Sequence, residues 1–375
     1  MKVVVDKKIP FIQGVLERHA EVMYLEGAEF TQRDVRDADA LIVRTRTTCN
    51  QQLLEGTKVR FIASATIGFD HIDTKYCESN GIFWTNAAGC NSSSVQQYVA
   101  AALFHMADKH RFELSRKTIG IVGVGNVGKK VATLCRSLGM NVLLNDPPRE
   151  RSEGMGAFVP LDVLIEQADI VTLHVPLNVD GPDKTLQLVD RDLLGKFRKH
   201  QILFNSSRGE VVDGDALKPV LKSKMIADSV LDVWEHEPEI DRELLGLVGI
   251  GTPHIAGYSA DGKANGTAMS VQAFSRFFGL DLNDWYPHKV PMPAGTMLEV
   301  ECEGRSLQSI LADLVRRTYD LLTDDARLRI SPGTFEKQRG EYPLRREFPT
   351  FTAKLVNAHD HVKSAVRALG FNLYS

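Results

Sequence analysis

Apolar residues fall in short runs along the first part of the chain, at 3–5, 22–24, 40–43, 61–64 and 82–85. Each run is brief, rich in aliphatic side chains and bounded by polar or turn-forming residues, as a buried strand requires. Between them lie polar, amphipathic stretches of helical pattern, 13–20 among them. That alternation predicts βαβ units and a parallel sheet. A longer helix is predicted over 93–109, with Val95, Val99, Leu103 and Met106 on one face. A second alternating set follows, with strands expected at 118–123, 141–145, 170–174, 201–205, 228–231 and 250–252. Residues 262–282 read as a helix with apolar Ala268, Val271, Phe274, Phe277 and Phe278. The proline-rich stretch 285–293 breaks the pattern and marks a boundary. Beyond it a strand is expected at 298–301 and an amphipathic helix at 306–322, its apolar face Leu307, Ile310, Leu311, Leu314 and Val315.

Length and charge narrow the picture. A chain of 375 residues has room for two or three domains, each with its own core. The formal net charge of −3 favours neither nucleic acid nor an anionic membrane surface, so any anion site must be local. No apolar run is long enough to span a bilayer, and the first residues read as a strand rather than a secretory leader. Cys49, Cys77, Cys90, Cys135 and Cys302 are odd in number and scattered, which implies neither disulfides nor a zinc site. A reducing cytoplasm is the expected setting.

Gly123-Val124-Gly125-Asn126-Val127-Gly128 matches G-x-G-x-x-G. It follows a predicted strand and opens a helical pattern over 129–138, the context that gives the motif meaning. The glycines allow a tight turn, close approach to a pyrophosphate and close helix packing, while the N–H groups of Asn126 and Val127 face phosphate oxygens. Asp146, 18 residues past Gly128, ends the next predicted strand and suits ribose hydroxyls. Its charge would repel a 2′-phosphate, so NAD is expected over NADP. The fold class predicted is α/β, with two doubly wound, Rossmann-like parallel-sheet domains and a small C-terminal α/β domain.

Three downstream segments put polar chemistry at strand ends: 205–213, 231–238 and 252–258. Ligands of open α/β sheets bind outside the carboxyl ends of the strands, so these loops can share one crevice. Oxidising an alcohol beside a carboxylate needs a base, a group to orient it and a fixed cation. His254, Glu237 and Arg208 supply that set. Arg44-Thr45-Arg46-Thr47-Thr48 follows a strand and forms either an anion pocket or a solvated loop. His359 and His361 do not make a metal pair, since i and i+2 on a helix face apart. His71 and His236 show no obvious partner and read as structural.

These motifs, in this order over about residues 1–285, resemble the D-isomer-specific 2-hydroxyacid dehydrogenases. In that family the cofactor domain is inserted into the substrate domain. The resemblance implies a substrate-binding domain of 1–92 with 260–285, an NAD-binding domain of 93–259, and a further domain of 286–375. Likeness to one branch of the family includes Ser64-Ala65-Thr66-Ile67-Gly68-Phe69-Asp70-His71-Ile72-Asp73, Asp146-Pro147-Pro148 and the extra C-terminal domain. There that domain builds a homodimer, and the substrate is a small phosphorylated 2-hydroxy acid. By position the resemblance makes Arg208 and Glu237 active-site residues and His254 the proton donor or acceptor. Thr45, Thr66 and Tyr258 would contact substrate. Asn126, Val127, Asp146, Val175, Ser206, Ser207, Arg208, Asp232 and Gly257 would line the NAD site. Many relatives carry Glu and His where this chain reads Ser94-Val95-Gln96-Gln97-Tyr98, so no role is carried over there. Other readings are a 3-phosphoglycerate or glyoxylate/hydroxypyruvate enzyme, and, from another class, an NAD-sensing corepressor on the same fold.

Overall fold

The computed structural model describes residues 1–154 and 156–374. The chain divides into two compact units, Met1–Asn91 with Ser259–Met292, and Ser92–Tyr258 with Pro293–Ser375.

The first unit holds strands β1 (Lys2–Asp6), β2 (Glu21–Leu25), β3 (Ala40–Val43), β4 (Phe61–Ser64) and β5 (Phe83–Asn86). They form one parallel sheet in the order β2-β1-β3-β4-β5. Its central strands are uninterrupted apolar runs because both faces are covered. Val4, Leu41, Val43 and Ile62 pack with Leu53, Leu54 and Cys77 on one side. Val3, Val5, Ile42 and Phe61 pack with Ile12, Leu16, Val271 and Phe274 on the other. The last two come from the returning helix Ala260–Phe278, whose N-cap Ser259 accepts from Gly262 N at 2.8 Å. The helical pattern at 13–20 does not form a helix. Gly14 sits at φ 80°, outside helical geometry, and the segment runs as turns that still bury Ile12 and Leu16.

The second unit holds β6 (Thr118–Val122), β7 (Asn141–Asn145), β8 (Ile170–Leu173), β9 (Ile202–Asn205), β10 (Asp228–Leu231) and β11 (Ile250–Gly251). All are parallel, in the order β11-β10-β9-β8-β6-β7. The winding reverses between β6 and β8, which opens a crevice beyond Val122 and Leu173. β12 (Met297–Glu301), β13 (Thr352–Val356) and β14 (Asn372–Leu373) make a third parallel sheet within the same unit. The helix Ser92–His110 is buried nearly all round. Its Val99, Leu103 and Phe104 share one core with Leu311, Leu314 and Val366 of the C-terminal residues.

The helix expected over 306–322 is two helices, Leu307–Thr318 and Leu321–Ile330. Tyr319 between them is extended (φ −151°, ψ 110°), and Asp320 caps the second. The Tyr319 hydroxyl donates to Asp324 at 3.0 Å, a buried bond across the break. The rings of His359 and His361 do meet, stacked at 5.8 Å between centroids. The i, i+2 argument fails because His359 is the N-cap of Asp360–Leu369 and lies outside helical geometry. Among the described residues no helix is long and apolar enough to cross a membrane.

Candidate active site

β6 delivers the glycine turn to the switch point. A Cβ on Gly128 would stand 2.0 Å from Gly123 O, so the helix Asn126–Ser137 can start there only with glycine. Gly125 is the opposite case, since nothing lies within 4 Å of where its Cβ would be. No side chain caps this helix, and Gly125 and Asn126 are exposed, so the first N–H groups face an open cradle. Asp146, at the end of β7, accepts from Val124 N at 2.7 Å through Oδ2 and from Arg149 N at 3.1 Å through Oδ1. It therefore braces the turn and caps the next helix, and each oxygen keeps acceptor capacity for a ribose hydroxyl. His174 and Val175 follow β8 against the same turn. Ser206 Oγ is buried without a hydrogen-bond partner among the described residues. An open cradle, an uncapped helix start, an acidic strand end and an orphaned hydroxyl fit a dinucleotide.

Three further strand ends carry the polar set. After β9, Asn205 Oδ1 accepts from Ser207 N (3.1 Å) and Oγ (2.8 Å), and Asn205 Nδ2 donates to Arg208 O at 2.8 Å. This side chain replaces a ladder partner and fixes the turn that presents Arg208. Arg208 Nη1 donates to Ser207 O at 2.8 Å. Gly209 then packs directly against the Trp234–Glu235 peptide, where a Cβ would fall 2.0 Å from Trp234 C. The loops after β9 and β10 are thereby held together.

After β10, Asp232 is buried at 1% exposure and fully engaged. It accepts from Thr252 Oγ1 (2.6 Å), Ile255 N (2.8 Å) and Ala256 N (2.8 Å). Asp232 O accepts from His254 N at 2.7 Å. One buried carboxylate thus organises the loop after β11, and the low local dielectric strengthens each of those bonds. Within that loop His254 adopts φ 55°, the left-handed region that a β-carbon disfavours. Its Nδ1 lies 2.8 Å from Glu237 Oε2, while Glu237 Oε1 accepts from Trp234 N at 2.9 Å. In the tautomer that pairs Nδ1–H with this carboxylate, Nε2 is the acceptor nitrogen. Both side chains keep partial exposure, 31% and 19%, as access to a substrate demands.

Within the first unit, Thr45 and Arg46 are exposed on the turn after β3, and Arg44 Nη1 donates to Lys8 O at 3.3 Å. Thr66 Oγ1 pairs with Ser64 Oγ at 2.7 Å. His71, expected to lack a partner, lies with Nε2 3.1 Å from Ser64 Oγ. The strand end brings together residues seven apart, which spacing did not suggest. Tyr258, in the second unit, meets Tyr342 edge-on at 5.8 Å.

Two groups of residues escaped sequence reasoning. His174 Nε2 lies 3.0 Å from Thr172 Oγ1, and its Nδ1 is buried without a partner among the described residues. Burial pushes this imidazole down to about 3, so it is neutral at the switch point. Its place at the end of a predicted strand was the available signal. The other group is C-terminal. Arg345 is buried at 5% exposure and donates to Ile255 O (3.4 Å), Ala256 O and Ser94 O (3.2 Å), and Glu347 accepts from Ser94 Oγ at 2.7 Å. Backbone carbonyls so distant in sequence leave no trace in a motif.

Residues 89–256 match the family model described as D-isomer specific 2-hydroxyacid dehydrogenase, NAD binding domain, and 292–370 match a domain of unknown function, DUF3410. The chain is 51% identical to the erythronate-4-phosphate dehydrogenase of Bacteroides fragilis over 92% of this chain and 97% of that one. It is 42% identical to the Porphyromonas gingivalis enzyme of the same name over 99% of this chain and 100% of that one. Among solved structures, a protein of Thermus thermophilus superposes with a TM-score of 0.62 at 25% identity, covering 75% of this chain and 98% of that one. The D-lactate dehydrogenase of Aquifex aeolicus, solved with NAD and lactic acid, shares the fold with a TM-score of 0.60 at 23% identity, covering 76% of this chain and 97% of that one.

Proposed function

The chain belongs to the erythronate-4-phosphate dehydrogenases of the D-isomer specific 2-hydroxyacid dehydrogenase family, and from that membership we propose that it oxidises 4-phospho-D-erythronate at C2, with NAD as acceptor, in vitamin B6 synthesis. The product is 2-oxo-3-hydroxy-4-phosphobutanoate. The observation that carries the chemistry is the hydrogen-bonded pair of His254 and Glu237 at 2.8 Å, set beside the turn of Arg208. NAD, when bound, accepts the hydride that leaves C2. His254 Nε2 takes the hydroxyl proton, and Glu237 orients the ring and stabilises its charged form. Arg208 binds the substrate carboxylate through two parallel donors. Asn126 and Val127 hold the pyrophosphate and Asp146 the ribose, with Val175, Ser206, Ser207, Arg208, Asp232 and Gly257 lining the rest of the cofactor site. Asp232 does this mainly by fixing the 252–256 backbone, since its own carboxylate is spent there.

Thr45, Thr66 and Tyr258 contact the substrate in this reading, and Arg44 and Arg46 attract its phosphate. Residues 1–92 with 260–285 serve substrate, 93–259 serve NAD, and 286–375 pair two chains into a homodimer, which light scattering on the full-length protein tests. The cytoplasm is the proposed location. A substrate panel tests the activity. With NAD, turnover is expected to be highest on 4-phospho-D-erythronate, ahead of 3-phosphoglycerate, glycerate and unphosphorylated D-erythronate. The double variant Arg44→Ala, Arg46→Ala should lose affinity for the phosphorylated acid more than for D-erythronate. Preference for 3-phosphoglycerate would replace the proposed substrate, and equal losses would remove the two arginines from the phosphate site.

A further inference from the structure

The C-terminal residues bring a second guanidinium to the catalytic loop. The helix Leu321–Ile330 docks on the β11 edge, where Arg329 Nη1 and Nη2 donate to Leu245 O (2.6 Å) and Val248 O (2.9 Å), and Asp325 accepts from Gly251 N at 2.7 Å. Phe335, 1% exposed, anchors the next short helix in the same apolar cluster as Trp234, Leu231 and Val211. One turn on, Arg339 lies with its guanidinium carbon 5.7 Å from the centre of the Tyr258 ring. Its contact with Tyr258 is not local to residues 335–340. It is imposed by the strand ends that also carry Glu237 and His254.

The state of the guanidinium is unusual. Nη1 donates to Glu336 Oε1 at 2.6 Å. Nε is buried and has no partner among the described residues, and no hydrogen bond engages Nη2. Only 21% of the side chain is exposed, so water does not readily compensate. Burial disfavours the charge, yet Tyr258, Glu336 and Glu237 outweigh it and hold the group above its ordinary value. An unpaired buried donor is costly, and native structures keep one where a ligand or a reaction makes use of it. Nε is enclosed by the protein, so Nη2 is the donor left open to an oxygen of a phosphate or carboxylate.

We infer that Arg339 is a specificity residue, whose open Nη2 binds the phosphate of the substrate. The inference rests on the proposed function, which gives the substrate both a carboxylate and a phosphate. Arg208 takes the first, and Arg339 grips the second, to which Arg44 and Arg46 add electrostatic attraction. The apolar face of the guanidinium rests on Tyr258, and Glu336 holds Nη1 and so fixes the orientation of the group. It follows that the segment matched only to a domain of unknown function takes part in substrate choice.

Full-length Arg339→Met and Arg339→Lys test this by steady-state kinetics on 4-phospho-D-erythronate and on D-erythronate. For Arg339→Met, KM for the phosphorylated acid should rise about 10- to 100-fold, the worth of a charged hydrogen-bonded pair. KM for NAD should stay put, which also reports that the nucleotide unit is intact. D-Erythronate should be little affected, and Arg339→Lys should recover part of the loss because it keeps the charge without the planar group. Equal losses on both acids, or no loss on either, overturn the inference and leave Arg339 as a support for Tyr258. Wild-type protein that does not distinguish the two acids overturns the proposed substrate, and this inference with it.

Discussion

Replacing His254 with Gln is expected to lower kcat by about a thousandfold, within the range set by a positioned general acid–base group. The substitution should leave KM for NAD within about a factor of two, because proton transfer and cofactor binding draw on different atoms. The loop is held by main-chain groups: His254 N donates to Asp232 O, and Ile255 N and Ala256 N donate to the Asp232 carboxylate. A Gln side chain disturbs none of these. It can still reach toward Glu237 but cannot take a proton, so the loss isolates the chemical step. Initial rates of NADH formation at saturating substrate measure it. Turnover at the wild-type rate would mean that His254 does not move the proton.

Gly209→Ala should be nearly as damaging by a different route. The new methyl would sit 2.0 Å from Trp234 C, 2.1 Å from Trp234 O and 2.5 Å from Glu235 N. Those are backbone atoms, and Trp234 cannot easily move. Its N–H donates to Glu237 Oε1, its indole Nε1 donates to Thr252 O at 2.9 Å, and only 3% of it is exposed. Overpacking against such a fixed neighbour costs about 3 kcal/mol, and a displacement near 1 Å between reacting groups costs on the order of a hundredfold in rate. A lower Tm and a fall in kcat/KM are therefore expected together. Gly125→Ala is the contrast. Its methyl enters open space, so Tm should hold while KM for NAD rises. If Gly209→Ala proves as stable and active as the parent, the loops of Arg208 and Glu237 are not coupled through this contact.

Much of this arrangement can be read in the sequence, for physical reasons. Strands buried on both faces must be apolar throughout, so β1, β3, β6, β8 and β9 stand out as short aliphatic runs. The glycine turn is legible because close packing at Gly128 excludes any side chain, and Asp146 because it ends a strand at a fixed distance. Arg208, Glu237 and His254 are visible because parallel sheets put function at successive strand ends. What stays hidden depends on contacts and backbone geometry that periodicity does not carry. Tyr319 breaks a helix and bonds across the break to Asp324, which periodicity does not weigh against the helical pattern. Gly14 denies residues 13–20 the helix their amphipathicity suggests. Arg345 and Arg339 act on residues about 80 to 250 positions away, through carbonyls and a ring face that carry no motif.

The central claim is hydride transfer from C2 of a phosphorylated 2-hydroxy acid to NAD. Incubating the full-length protein with NAD and 4-phospho-D-erythronate deuterated at C2 tests it directly, with mass spectrometry of the reduced dinucleotide as the readout. The predicted result is NADH carrying one deuterium in the nicotinamide ring, formed together with the 2-oxo acid. Unlabelled NADH, or none from a preparation that binds NAD, would contradict it.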